Sequence, residues 1–163
     1  MRIALISITL LFISNSAYAV DNIHLFYEEN SSNYYSVGVR TESENKCPAP
    51  SVCGMYLSVS LEAVNVYGQR FMTGYGHFRL ALTPNATFSP YVNIGFDLLE
   101  AGAFLFSDGE ISPKVDLQYG YGLRMNLGNQ NAIGIYKKTS VLSGYTIPDG
   151  NYESYGIELI MPL

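Results

Sequence analysis

The sequence predicts an all-β fold, an eight-stranded antiparallel up-and-down barrel that crosses a membrane, and three observations carry the prediction. From Val115 to Leu127 every odd position is large and apolar, while the even positions are Asp, Gln, Gly, Arg and Asn. That is the period of a strand lying between two environments, and at least four other segments repeat it. Charged residues are only 14% of the chain, against roughly 25% in ordinary soluble domains. The chain also opens like an exported protein: Met1-Arg2 is positive, residues 3–13 are almost wholly apolar, and Ala17-Tyr18-Ala19 has the small-x-small form of a signal-peptidase site. The apolar run is shorter than the roughly 20 residues of a spanning helix. Residues 1–19 therefore read as a cleaved signal and 20–163 as one domain, so any crossing must be made by strands.

Eight strands are expected, at 22–29, 33–42, 55–64, 70–83, 88–98, 113–127, 131–139 and 152–163. The first, around Ile23, Leu25 and Tyr27, has the weakest alternation. In the third, Met55, Leu57, Val59, Leu61 and Ala63 oppose Tyr56, Ser58, Ser60 and Glu62. The fourth is looser, with Gly74 and Gly76 on its apolar side, whereas the fifth sets Val92, Ile94 and Phe96 against Tyr91, Asn93, Gly95 and Asp97. The last sets Tyr155, Ile157, Leu159 and Met161 against Ser154, Gly156 and Glu158. Turn-type residues separate them, as at Tyr67-Gly68-Gln69, Pro84-Asn85-Ala86 and Gly128-Asn129-Gln130.

Alternation alone does not say which face points outward, because a soluble ligand-carrying barrel is apolar inside. Three features favour apolar side out. The polar faces are rich in small residues, among them Gly38, Ser58, Ser60, Gly95, Gly120, Gly122, Gly134 and Gly156, which suits the crowded lumen of an eight-stranded barrel. They also carry both signs of charge: Arg40, Glu42, Glu62, Arg79, Asp97, Asp116, Arg124, Lys138 and Glu158. The apolar faces of the clearest strands read as free of charge, as they must, since a charge facing lipid at mid-depth costs about 2–4 kcal/mol. A lumen polar network of Arg40, Glu62, His77, Arg79, Asp97, Arg124 and Glu158 follows. Tyr35, Phe88, Tyr119 and Tyr155 fall on apolar faces near strand ends, where rings meet lipid headgroups.

A formal charge of −5 without a basic stripe argues against nucleic acid as a partner. Cys47 and Cys53 bracket a short loop between two strands, and an exported chain meets an oxidising compartment, so a disulfide is expected there. Two thiolates with no histidine nearby do not make a metal site, and no cofactor motif is present.

In Ser89-Pro90-Tyr91-Val92-Asn93-Ile94-Gly95-Phe96, Gln118-Tyr119-Gly120-Tyr121-Gly122-Leu123-Arg124, Gly134-Ile135-Tyr136 and a closing strand that runs to the chain end, the sequence resembles the small eight-stranded outer-membrane barrels of Gram-negative bacteria, of the OmpA-like transmembrane or OmpX and Ail type. One departure is the ending Met161-Pro162-Leu163, where such chains usually close on an aromatic residue. The resemblance implies residence in the outer membrane, contact with its lipid and lipopolysaccharide, and insertion by the outer-membrane assembly machinery. It also implies short turns in the periplasm and longer loops outside, with 100–112 and 140–151 exposed, possible contacts for a host or surface ligand. By the same parity the cysteine loop falls on the periplasmic side.

Some barrels of this architecture are lipid A deacylases or palmitoyltransferases that use a histidine with a serine and a carboxylate. The mature residues offer only His24 and His77, with no serine in a nucleophile motif around either, and a base needs a partner within reach. The leading expectation is a non-enzymatic outer-membrane barrel acting through its exposed loops. The alternatives are a soluble periplasmic lipocalin-like carrier of a fatty acid or bile salt, and a lipid A-modifying enzyme.

Overall fold

The computed structural model describes residues 20–30, 34–45, 47–98, 117–142 and 150–163. They form eight strands: β1 (Asn22–Glu29), β2 (Tyr34–Asn45), β3 (Cys53–Val66), β4 (Gln69–Leu82), β5 (Phe88–Asp97), β6 (Leu117–Gly128), β7 (Asn131–Leu142) and β8 (Gly150–Pro162). Each pairs antiparallel with its chain neighbours, and β1 pairs with β8 to close the barrel. The weakly patterned first strand is thus the closing element, in register with β2 from Asn22 against Glu42 to Glu29 against Tyr35. Closure matters because an open sheet edge in lipid would leave backbone groups unpaired.

The stagger is readable from the pairing. A circuit from Asn22 through Glu42, Ser58, His77, Gly95, Gln118 and Ser140 arrives at Tyr152 on β8, ten residues before the Pro162 that Asn22 faces directly. Such a shear tilts the strands, typically by 35–45° for barrels.

Even positions of β1, β2, β3, β6, β7 and β8, odd positions of β5, and odd positions of β4 from Thr73 to Ala81 point inward. The opposite rows carry the large apolar side chains on the outside, with Leu25 47%, Val37 51%, Val92 54%, Ile135 58% and Ile157 52% exposed. Apolar side out is therefore the arrangement adopted. The interior glycines make room for it. Gly95 lies in register with His77, Gly122 with Tyr91 and Gly134 with Glu158, and a Cβ at these glycines would come within 2.5, 2.6 and 2.6 Å of those side chains. A large residue on one strand rests over a missing side chain on the next.

Tight connections agree with the residues that make them. Tyr67-Gly68 and Asn129-Gln130 join β3 to β4 and β6 to β7 with both central residues at positive φ (50° and 83°, 51° and 64°), the two-residue turn whose twist matches paired strands. At the end holding both termini, Cys47 and Cys53 form a disulfide with Cα atoms 6.0 Å apart. That loop is fastened to the next turn by Thr83 N–H donating to Val52 O (2.8 Å). The termini are fastened likewise, Asp21 N–H donating to Glu42 O (3.0 Å) and Leu163 N–H to Asp21 O (3.1 Å). Because β1 is present, the cysteine loop shares the end of the termini and of the 83–87 and 129–130 turns, as the parity reading placed it.

The proposed signal (1–19), Asp116 and most of the two long loop segments lie outside the described residues.

Candidate functional site

Among the described residues, the lumen holds the main concentration of reactive groups. All seven residues assigned to it from sequence point inward: Arg40, Glu62, His77, Arg79, Asp97 and Glu158 are buried, and Arg124 is partly exposed at the end near the termini. They are not one network but two centres of opposite sign.

The first is built on Glu158 of β8. Arg79 Nη2 donates to its Oε2 at 2.9 Å, Arg40 Nη1 to the same oxygen at 3.3 Å, and Tyr91 OH to its Oε1 at 2.8 Å. His24 Nδ1 lies 3.1 Å from Oε2, while its Nε2 faces Glu42 Oε1 at 3.4 Å. Glu42 also meets Arg79 at 3.4 Å and, more loosely, Arg124 at 3.9 Å. The guanidinium of Arg79 lies 4.2 Å over the Tyr91 ring and that of Arg40 5.0 Å over Phe26. Cations on aromatic faces gain most when desolvated.

The second is built on Lys138 of β7, held between Glu28 Oε2 at 2.6 Å and Glu62 Oε2 at 3.3 Å. Tyr136 OH donates to Glu28 at 2.7 Å. Beyond it, Thr73 Oγ1 donates to Asp97 Oδ2 at 2.6 Å. Toward the end opposite the termini, the lumen is capped by a cluster of Tyr34, Val64, Val66 and Tyr152, with the Tyr34 and Tyr152 rings stacked at 6.2 Å and Tyr67 edge-on to Tyr152 at 6.4 Å.

Sequence reading left His24 and Glu28 out of the network because it treated β1 as insecure. The signal was there: Asn22, His24, Phe26 and Glu28 share one parity, the inward one. It also missed Ser60 as a partner of His77. Ser60 Oγ is 2.9 Å from His77 Nε2 and donates to Glu62 Oε1 at 3.0 Å, so a serine, an imidazole and a carboxylate do meet. The geometry differs from a hydrolytic triad, in which the carboxylate holds the ring nitrogen far from the serine. Here Glu62 sits on the near side, 3.9 Å from Nε2, and His77 Nδ1 has no hydrogen-bond partner among the described residues. All three side chains are buried in the wall and lumen.

The outer faces need one correction. They are not free of charge: Glu29, Arg70, Lys137 and Glu153 occupy outward positions on β1, β4, β7 and β8. Lys137 Nζ meets Glu153 at 2.8 Å and lies 5.8 Å over the Tyr155 ring. Sequence alternation concealed these because each interrupts an otherwise apolar row.

Among the described residues no group of three or more His, Cys, Asp or Glu is placed to hold a metal ion. A rim cavity of about 480 Å3 lined by Asp21, Glu44, Cys47 and Pro50 adjoins the disulfide; no member of either lumen centre is among those residues.

Comparison with solved structures gives the class of fold: the chain has the fold of the small eight-stranded barrels found in outer membranes. In particular, it is similar to the outer-membrane enzyme PagL, with a TM-score of 0.55 at 10% identity over 87% of this chain and 99% of that one. It is likewise similar to the Yersinia pestis outer-membrane protein Ail in a phospholipid nanodisc, with a TM-score of 0.52 at 13% identity over 88% of this chain and 98% of that one. No protein-family description matches the sequence, and no curated protein does.

Proposed function

We propose that this chain is a non-enzymatic outer-membrane protein, a sealed barrel that acts as a membrane anchor and meets its environment through the segments at the end opposite the termini. The observation that carries the reading is the lumen itself: both charge centres are internally paired and the aromatic cap lies across one end. A group already bound by several protein partners is poorly disposed to take a substrate, and a filled lumen of eight strands is too narrow for general diffusion. The Ser60, His77 and Glu62 cluster is read as packing, since its carboxylate engages the hydroxyl rather than the far imidazole nitrogen. Lipid and lipopolysaccharide are the immediate partners, the assembly machinery inserts the barrel, and a host or surface ligand would meet the loop end.

The test joins three measurements on cells expressing the full chain. The protein is expected in the outer-membrane fraction with heat-modifiable gel migration, to give no porin-sized conductance in planar bilayers, and to leave lipid A acylation unchanged. Recovery in a detergent-free periplasmic extract would replace this reading with the lipocalin-like carrier. A lipid A mass change that His77→Ala or Ser60→Ala abolishes would replace it with an enzyme.

A further inference from the structure

Six outward-facing side chains on β6, β7 and β8 form one compact patch. In one register row Tyr121 faces Lys137, which faces Tyr155; in the next, Tyr119 faces Thr139, which faces Glu153. Lys137 Nζ meets Glu153 at 2.8 Å beside the Tyr155 ring, and Tyr121 and Tyr155 stand 62% and 64% open. The stagger of the barrel sets the depth of this patch. Ten residues shared among eight strands make a level line slip by about one and a quarter residues per strand against the register. From Lys137 the register runs to Tyr121, Val92, Leu80 and Met55, so its level neighbours on the other walls are Ile94, Gly76 and Val59. These lie in the middle of the apolar rows Phe88 to Leu98, Met72 to Leu82 and Met55 to Ala63. Among the described residues no other charge faces outward at that depth, where a charge against lipid is costly. Glu153 lies nearer the outer edge and draws the ammonium that way, yet it keeps 60% of its side chain open. An ammonium offers three donors and a carboxylate about four acceptor sites, so each group retains capacity beyond their one contact.

We infer that this patch is the contact face of a two-fold dimer, its occupant a second copy of this chain. Copies in one membrane share one orientation, so the two-fold axis lies along the membrane normal and keeps every residue at its own depth. An axis between β7 and β8 sets Lys137 of each copy toward Glu153 and Tyr155 of the other. A cation and an anion on adjacent strands are complementary to their own turned image, and the open tyrosines add aromatic area to the contact. An anionic lipid headgroup would meet Glu153 as well as Lys137, whereas the turned copy offers each the opposite sign. The pairing rests on the membrane reading above, since only a barrel with its apolar rows in lipid presents Lys137 to acyl chains.

The experiment is energy transfer between donor- and acceptor-labelled copies of the full chain, purified from membranes and returned to phosphatidylcholine vesicles. Each copy is labelled at Gln130→Cys in the Cys47→Ser, Cys53→Ser background. The native patch is expected to give transfer that persists on dilution with lipid. Lys137→Glu or Glu153→Lys alone sets like charges together and is expected to weaken association about ten-fold, the scale of one charged hydrogen bond. Mixing the two variants restores opposite signs across the contact while each copy's own pair stays broken, so donor-labelled Lys137→Glu with acceptor-labelled Glu153→Lys is expected to recover the transfer. Arg70→Glu on β4 is expected to leave it unchanged. Heat-modifiable migration checks each fold. If a charge variant does not fold, Tyr155→Cys in the same double-serine background, without the label site, is expected to give a disulfide-linked dimer in oxidised membranes, and Val59→Cys on the far wall none. Transfer no greater than random placement gives, single charge variants that associate as well as their parent, a mixture that fails to recover, or equal cross-linking at Tyr155→Cys and Val59→Cys would overturn the inference. A chain that fractionates as soluble would sink the membrane reading instead, so the two failures are distinguishable.

Discussion

The two charge centres inside the barrel are inverted copies of one problem. Around Glu158 an anion is enclosed by Arg79, Arg40 and His24, and a second carboxylate, Glu42, stands behind it with Arg79 and His24 also in contact. Around Lys138 a cation is enclosed by Glu28 and Glu62, and among the described residues no other lysine or arginine pairs with either. The first centre is redundant and the second hangs on one ammonium group. Removing one partner of a buried pair is costly chiefly because the other is left uncompensated, so the number of reserve partners should set each centre's sensitivity.

That difference can be broken or sharpened by substitution. The largest effect is expected for Lys138→Met, which strands two carboxylates and should lower the free energy of unfolding by about 4 kcal/mol in a urea titration in detergent or lipid. Glu158→Gln should cost less, about 3 kcal/mol, since Glu42 still holds Arg79 and His24 and only Arg40 loses its carboxylate; an equal or larger loss than at Lys138 would remove the redundancy argument. Gly134→Leu, which drives a side chain into Glu158, should cost about 2 kcal/mol by overpacking, and combined with Glu158→Gln it should cost less than the sum. Smallest in reach is the double change Cys47→Ser, Cys53→Ser. It should cost about 2 kcal/mol by loop entropy and leave both centres intact, with heat-modifiable migration retained.

Much of this arrangement was legible from the residues alone. Strict alternation in β3, β5, β6 and β8 fixed both faces, and the lumen members Arg40, Arg79 and Glu158 followed from parity. Glycines on the polar faces pointed to a crowded interior, and each now has a large neighbour above it. What was not legible is pairing across the lumen. Glu158 and Arg79 are far apart in sequence and meet only because the barrel closes with a ten-residue stagger. His24 and Glu28 were hidden in a strand too short to show its period clearly, and a single interrupted position, as at Lys137 or Glu153, is invisible to a pattern count. The roles expected of the long loops, of Asp116 and of the leader concern residues outside those described.

The central claim is that the aliphatic rows face lipid while the charged set fills the middle, and collision accessibility at one position tests it most directly. A spin label at Ile157, in the Cys47→Ser, Cys53→Ser background reconstituted in bilayers, should relax strongly with dissolved oxygen and little with a water-soluble nickel chelate. Strong relaxation by the nickel chelate with little effect of oxygen would mean that this row meets water, and the account would be wrong.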